Sequence, residues 1–76
     1  MSGVSLSRLG PNVAELTLGE KVILFSYARP VAVRIGAVHY KTARFWSRAT
    51  QAHLKAWLPA AGPVLVVTQE QLEEGI

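Results

Sequence analysis

Two turn-forming glycines, Gly19 and Gly36, each separate short runs rich in β-branched and aromatic residues, and this punctuation constrains the fold more than any other feature. Before Gly19, Val13 to Leu18 alternates, with Val13 and Glu15 on one side and Ala14 and Leu16 on the other, the pattern of a strand. After it, Lys21 to Tyr27 carries Val22-Ile23-Leu24-Phe25, the composition of a central strand. Gly19-Glu20 fits a tight turn, so these two runs predict a hairpin. Ala28-Arg29-Pro30 breaks the apolar run, because proline lacks a ladder donor and holds Arg29 extended. Val31, Val33 and Ile35 then share one face. Gly36 turns the chain, and Ala37 to Lys41 alternates again. This second hairpin predicts Arg34, His39 and Lys41 on a common polar face.

Ala43 to Trp46 reads as a short further strand. Ser47 or Thr50 is then placed to cap a helix, and Leu54, Trp57 and Leu58 follow the spacing of one buried stripe. Gln51 and Lys55 lie off that stripe, and Pro59 ends the helix. Ala60-Ala61-Gly62 is a turn, and Pro63 to Val67 reads as a buried strand. Thr68-Gln69-Glu70-Gln71 has the form of a capping box that opens a short helix from Gln69 to Glu74. Residues 1–10 are small and polar and read as a flexible lead-in arm, with Gly10-Pro11-Asn12 as the turn that ends it. Residues 11–76 then form a single α+β domain. The expected fold is a small, mainly antiparallel sheet of four to five strands, one helix packed on a face and a short C-terminal helix. A 76-residue chain buries only about 60% of its unfolded surface, so this core is small.

The charge is unevenly laid out. The acids are Glu15, Glu20, Glu70, Glu73 and Glu74, and none lies between Lys21 and Gln69. That interval carries Lys21, Arg29, Arg34, Lys41, Arg44, Arg48 and Lys55, together with His39 and His53. If these side chains share a face they project a positive field suited to a polyanion. The plain alternative is a solvated surface neutralised by the C-terminal glutamates folding back.

Several chemistries are disfavoured. There are no cysteines, hence no disulfide and no thiolate site, which fits a reducing compartment. His39 and His53 lack a third ligand of suitable type, so neither a metal nor another cofactor is expected. No nucleophile elbow or glycine-rich phosphate loop occurs, and so short a chain leaves little room for a substrate pocket. An enzyme is therefore not expected. Residues 1–8 do not read as a signal peptide. Leu58 to Val67, the most apolar stretch, contains Pro59, Gly62 and Pro63 and is too short to span a membrane. The expected location is the cytoplasm.

Ser47, Arg48, Thr50 and His53 cluster where the helix begins, a place suited to an anion. Capping alone accounts for Ser47 or Thr50, and His53 can pack on Trp57 one turn later. Arg48 has no comparable local duty. Phe25 and Trp57 suit the core, whereas Tyr27, Tyr40 and Trp46 stand beside basic residues and can stack on a partner. Phe45 and Trp46 are adjacent, so an extended chain exposes one of them.

The segment Leu24-Phe25-Ser26-Tyr27-Ala28-Arg29-Pro30-Val31-Ala32-Val33-Arg34, followed by Phe45-Trp46-Ser47-Arg48-Ala49-Thr50-Gln51-Ala52-His53, resembles a group of small uncharacterised proteins carried by phages and plasmids. Their pattern runs Phe-Ser-Tyr-x-x-Pro-Val-Ala, a hairpin, an aromatic, Ser-x-Thr-Thr and a histidine at helix spacing. Ala49 departs from it where a threonine is usual. The resemblance implies a mobile-element setting, in which compact proteins inhibit host defence or handle nucleic acid. Two functions follow as expectations. The first is a non-enzymatic inhibitor of a host defence complex, anti-CRISPR-like, acting through a basic surface. The second is a nucleic-acid-binding accessory protein using segment 29–55. The candidate contact residues for either are Arg29, Arg34, His39, Lys41, Arg44, Trp46, Ser47, Arg48, Thr50, His53 and Lys55. A homodimer is compatible with both, because a small core gains from burying a second face.

Overall fold

The computed structural model describes residues 4–60 and 62–74. Six strands form one sheet in sequence order: β1 (Val4–Gly10), β2 (Val13–Leu18), β3 (Lys21–Ser26), β4 (Arg29–Ile35), β5 (Val38–Thr42) and β6 (Val64–Val67). The first five pair antiparallel and β6 joins β5 in parallel. Helix α1 (Arg48–Trp57) makes the crossover from β5 to β6, and α2 (Gln69–Glu74) follows β6. The fold is α+β, as expected, with one strand more than the upper expectation.

The additional strand is β1. Residues 4–10, expected in the lead-in arm, pair with β2 from Val4↔Leu18 to Gly10↔Val13. The remainder of that arm, residues 1–3, lies outside the described residues. β1 has no buried side chain and is held by backbone pairing; its Val4-Ser5-Leu6-Ser7 alternation is a strand pattern that the small polar composition of residues 1–10 masks. Ala43 to Trp46, expected as a strand, is instead the irregular link into α1. β6, expected to be buried, is an edge strand on which Leu65 and Val66 are exposed. Two hairpin turns are the expected ones, whereas the break expected at Ala28-Arg29-Pro30 is a Tyr27-Ala28 turn with Arg29 and Pro30 already in β4. Gly19 and Gly36 both adopt φ +61°, a conformation that favours glycine.

Strand alternation assigns each side chain to a face. The register aligns Val22 with Arg34 and Leu24 with Ala32, and α1 covers this face. Leu24, Val31, Ala32 and Leu54 form its buried cluster, with Val13, Trp46, Trp57 and Leu58 packed against them. Val31, expected to share the face of Val33, joins this cluster because the β3–β4 register shifts at that point and leaves it as the extra residue. Leu54, Trp57 and Leu58 are the expected helical stripe. The opposite face carries the row Leu6, Leu16, Ile23, Val33, Tyr40 and Leu65. Val33 is 1% exposed and Thr42, on the same face, is also buried. α2 lies against β4 and β5 with Leu72 buried, so it covers this face there. Its capping box forms as the sequence suggests: Gln71 N donates to Thr68 Oγ1, and Thr68 N donates to Gln71 Oε1.

Leu24 is fully buried at the junction of β3 and α1. Leu24→Ala is expected to cost about 2–5 kcal/mol, read as a lowered urea midpoint.

Candidate functional site

β3 places Val22, Leu24 and Ser26 on the face covered by α1, and all three are buried. The third of these is a hydroxyl, and it needs partners there. Ser26 Oγ lies 2.9 Å from Thr50 Oγ1 and 2.8 Å from His53 Nδ1. Ser47 Oγ donates to Thr50 Oγ1 at 3.2 Å and accepts from Thr50 N at 3.1 Å, which makes Ser47 the helix N-cap. One direction of donation uses every hydroxyl proton within the chain: Ser47 to Thr50, Thr50 to Ser26, Ser26 to His53 Nδ1. The network bolts the first two turns of α1 to the end of β3.

A serine hydrogen-bonded to a histidine is also the arrangement of a nucleophile and its base. Here Ser26 is 1% exposed, and its Oγ is enclosed by Thr50 and His53. The arrangement as it stands is an anchor. Sequence reading placed Ser47, Thr50 and His53 at the helix start but assigned no role to Ser26. The available signal was its position two residues beyond Leu24, inside an apolar strand. His53 does not stack on Trp57, contrary to the local expectation. Its ring faces Tyr27 instead, at 5.9 Å between centroids, while His39 meets Trp57 edge-on at 5.5 Å.

Immediately after Ser26 the backbone is strained. Tyr27 has φ +54° and Ala28 φ +64°, so the β3–β4 turn uses left-handed residues without a glycine. Each such residue costs about 1–2 kcal/mol. Asn12, at φ +62°, occupies the β1–β2 turn, and its carbonyl accepts from Tyr27 N at 2.8 Å. That bond ties the two turns together. Tyr27 is left 49% exposed.

Beyond the turn, Arg29 and Arg44 converge on one aromatic ring. Their guanidinium carbons lie 3.9 and 4.2 Å from the centroid of Trp46. Trp46 Nε1 donates to Gln69 Oε1, and Gln69 Nε2 donates to the Pro30 carbonyl at 2.8 Å. The indole is therefore held by both the core and α2, and it orients two cations. Of the adjacent aromatic pair, Phe45 is the exposed member, at 64%.

The expected basic residues do not form one patch. Arg29 and Arg44 stand at the Trp46 end. Arg34 and His39 are register partners on the face covered by α1, with Lys41 next along β5, so the predicted polar face exists. Lys41 and Lys55 line a hollow of about 470 Å³ between β5 and α1. Arg48 is exposed in the first turn of α1. Glu70 and Glu73 share a second hollow with Arg44 and Trp46, so C-terminal glutamates do fold back on part of the positive surface. Among the described residues, no cluster of three or more His, Asp or Glu side chains is placed to hold a metal ion, and no helix is long and apolar enough to cross a membrane.

Comparison with known proteins gives a family without an activity. The chain belongs to the family of unknown function DUF8033, which matches residues 4–74. No curated protein and no solved structure matches it.

Two substitutions probe the site. Ser26→Ala leaves Thr50 and His53 short of a partner and is expected to destabilise by about 1–3 kcal/mol, read by chemical denaturation. Ala28→Gly relieves a left-handed strain and is expected to raise stability by about 0.5–1 kcal/mol, after the extra unfolded-state freedom of glycine is offset.

Proposed function

We propose that the chain is a small non-enzymatic binding protein of a mobile element, and that it docks on a host defence complex through Tyr27, Arg29, Arg44, Phe45 and Trp46. The observation that carries this reading is the pair of guanidiniums held over the Trp46 ring, flanked by two exposed aromatics. Arginine, tyrosine and tryptophan dominate the energetics of protein interfaces, most of all where they are held rigid before contact. The strained turn keeps Tyr27 and Arg29 in place without covering them, and such strain is characteristic of functional positions. The resemblance of segments 24–34 and 45–53 to phage and plasmid proteins supports the mobile-element setting and a location inside a bacterial host. Its quoted positions Ser26, Tyr27, Pro30, Trp46, Ser47, Thr50 and His53 belong to or border this one end of the molecule.

A protein partner is preferred over a nucleic acid on two grounds. The basic residues are spread over β4, β5, the link into α1 and α1 itself, and only Arg29 and Arg44 are drawn onto one group, the Trp46 ring. Glutamates stand beside Arg44, where a phosphate backbone would be repelled. The contact surface on the partner is then mainly aromatic, with neutral acceptors rather than an acidic field facing the two guanidiniums.

The test is a tagged capture from bacterial lysate with and without nuclease, read by mass spectrometry. A discrete protein complex is expected to survive nuclease and moderate salt. Arg29→Glu and Arg44→Glu, both at exposed positions, are each expected to lower its capture about tenfold or more without changing the circular dichroism spectrum. Lys55→Glu is expected to have little effect. Capture that vanishes with nuclease and is equally sensitive to Lys41→Glu and Lys55→Glu would instead identify a nucleic acid as the ligand.

A further inference from the structure

The apolar side chains of β1 point away from α1. Val4 and Leu6 share the α2 face, while Ser5 and Ser7 occupy the α1 face beside Thr17 and Glu15. β2 follows the same rule with Ala14, Leu16 and Leu18. A sheet face left to water normally carries the polar half of the alternation. Here the apolar half is uncovered: Val4 is 66% exposed, Leu6 69% and Leu18 40%. α2 has only 6 residues and lies over β4 and β5, so β1–β3 form a largely apolar shelf beside it, with a cation at each end, Lys21 in the row of Val4 and Leu18 and Arg8 in the row of Ala14 and Phe25.

We propose that a second copy of this chain covers that shelf, face to face, about a two-fold axis running along β2. Shape is the first argument. A helix occupies a layer about 10 Å thick, and two stacked sheets sit about 10 Å apart. The partner's β1–β3 therefore fit in the layer that α2 already defines, alongside the helix. The axis puts β1 over the partner's β3, so Leu6 meets the row of Leu16 and Ile23. It also places each α2 beside the other copy's β1 edge.

Charge is the second argument. The register aligns Arg8 with Ala14, Phe25 and Pro30 in one row. Gln69 ends that row by donating to the Pro30 carbonyl. The two-fold sets Arg8 of one copy over Phe25 of the other, about one strand spacing from the helix that starts at Gln69. That helix carries Glu70, Glu73 and Glu74 and no basic residue. The contact occurs twice, as an isologous interface requires. The two Arg8 side chains stay about 14 Å apart, beyond the screening length at physiological salt.

The third argument is area. Three strands of about six residues present a face of about 14 by 20 Å. That is about 280 Å² in projection on each copy, well under a standard interface, so even with α2 set against the partner's β1 edge the dimer is expected to be weak, reversible and concentration-dependent.

Sedimentation equilibrium over micromolar to submillimolar concentrations tests this. The wild-type chain is expected to shift from monomer to dimer. Leu6→Lys, at an exposed position, is expected to weaken the dimer by ~10-fold or more with an unchanged circular dichroism spectrum. Leu65→Lys, on the opposite sheet edge, is expected to leave it intact. Arg8→Glu is expected to weaken it several-fold at low salt, and adding Glu70→Arg with Glu73→Arg is expected to restore it. A wild-type chain that stays monomeric throughout, a Leu6→Lys dimer as tight as wild type, or a charge swap without rescue would each overturn the proposal.

Discussion

Everything in this molecule follows from a sheet whose central strands are apolar on both faces and a chain with little helix to cover them. α1 has 10 residues and α2 has 6, against a sheet of six strands. β3 and β4 lie in the middle, so Leu24, Val31, Ala32 and Val33 are almost wholly buried. The strands toward β1 lose cover progressively, and by β1 the apolar side chains stand in solvent. In a domain this small each layer contributes a large share of stability. The placement of two short helices therefore decides which surfaces are core and which are open for contact.

The fixing of α1 shows how polar groups help a small core to be specific. Leu54 against Leu24 and Ala32 supplies burial without direction. The chain from Ser47 through Thr50 and Ser26 to His53 supplies direction, because each hydroxyl has one geometry that satisfies its neighbours. The same bolt lies beneath the strained Tyr27–Ala28 turn. Rigid support and exposed side chains thus meet at one end of the molecule. Trp46 extends that support sideways, since its ring packs on the core and its Nε1 reaches α2. Arg29 and Arg44 are oriented by a residue that is itself held.

The extent to which this was legible differs by element. The two glycine hairpins, the helix stripe and the reciprocal Thr68–Gln71 cap could be read directly, because each depends on residues close in sequence. The polar face of Arg34, His39 and Lys41 was legible for the same reason: alternation and a two-residue turn determine it. β1 was only half legible: Val4-Ser5-Leu6-Ser7 alternates like a strand, but four residues among small polar neighbours do not show that a partner strand is there to pair with. Ala43–Trp46 leaves the sheet after Ala43 N donates to the Val67 carbonyl, because β6 ends there and Phe45 and Trp46 have no strand beside them. β6 has a buried composition and an edge position, and composition does not report which strands flank a run.

The candidate site divides in the same way. Residue types alone marked Ser47, Thr50, His53, Arg29, Arg44 and Trp46, because hydroxyls before a helical stripe and cations beside an aromatic carry local physical meaning. Only the tertiary structure joined Ser26 to Thr50 and His53, across separations of 24 and 27 residues. It also brought Arg29 onto Trp46 and folded Glu70 and Glu73 toward Arg44, dividing what the linear charge pattern presented as one positive segment. The sequence by itself determined β2 to β5, the helix stripe and the caps, because periodicity and turn chemistry act over a few residues. The fold decided which polar groups meet and which apolar face stays open, because those depend on pairing order and on where two short helices land.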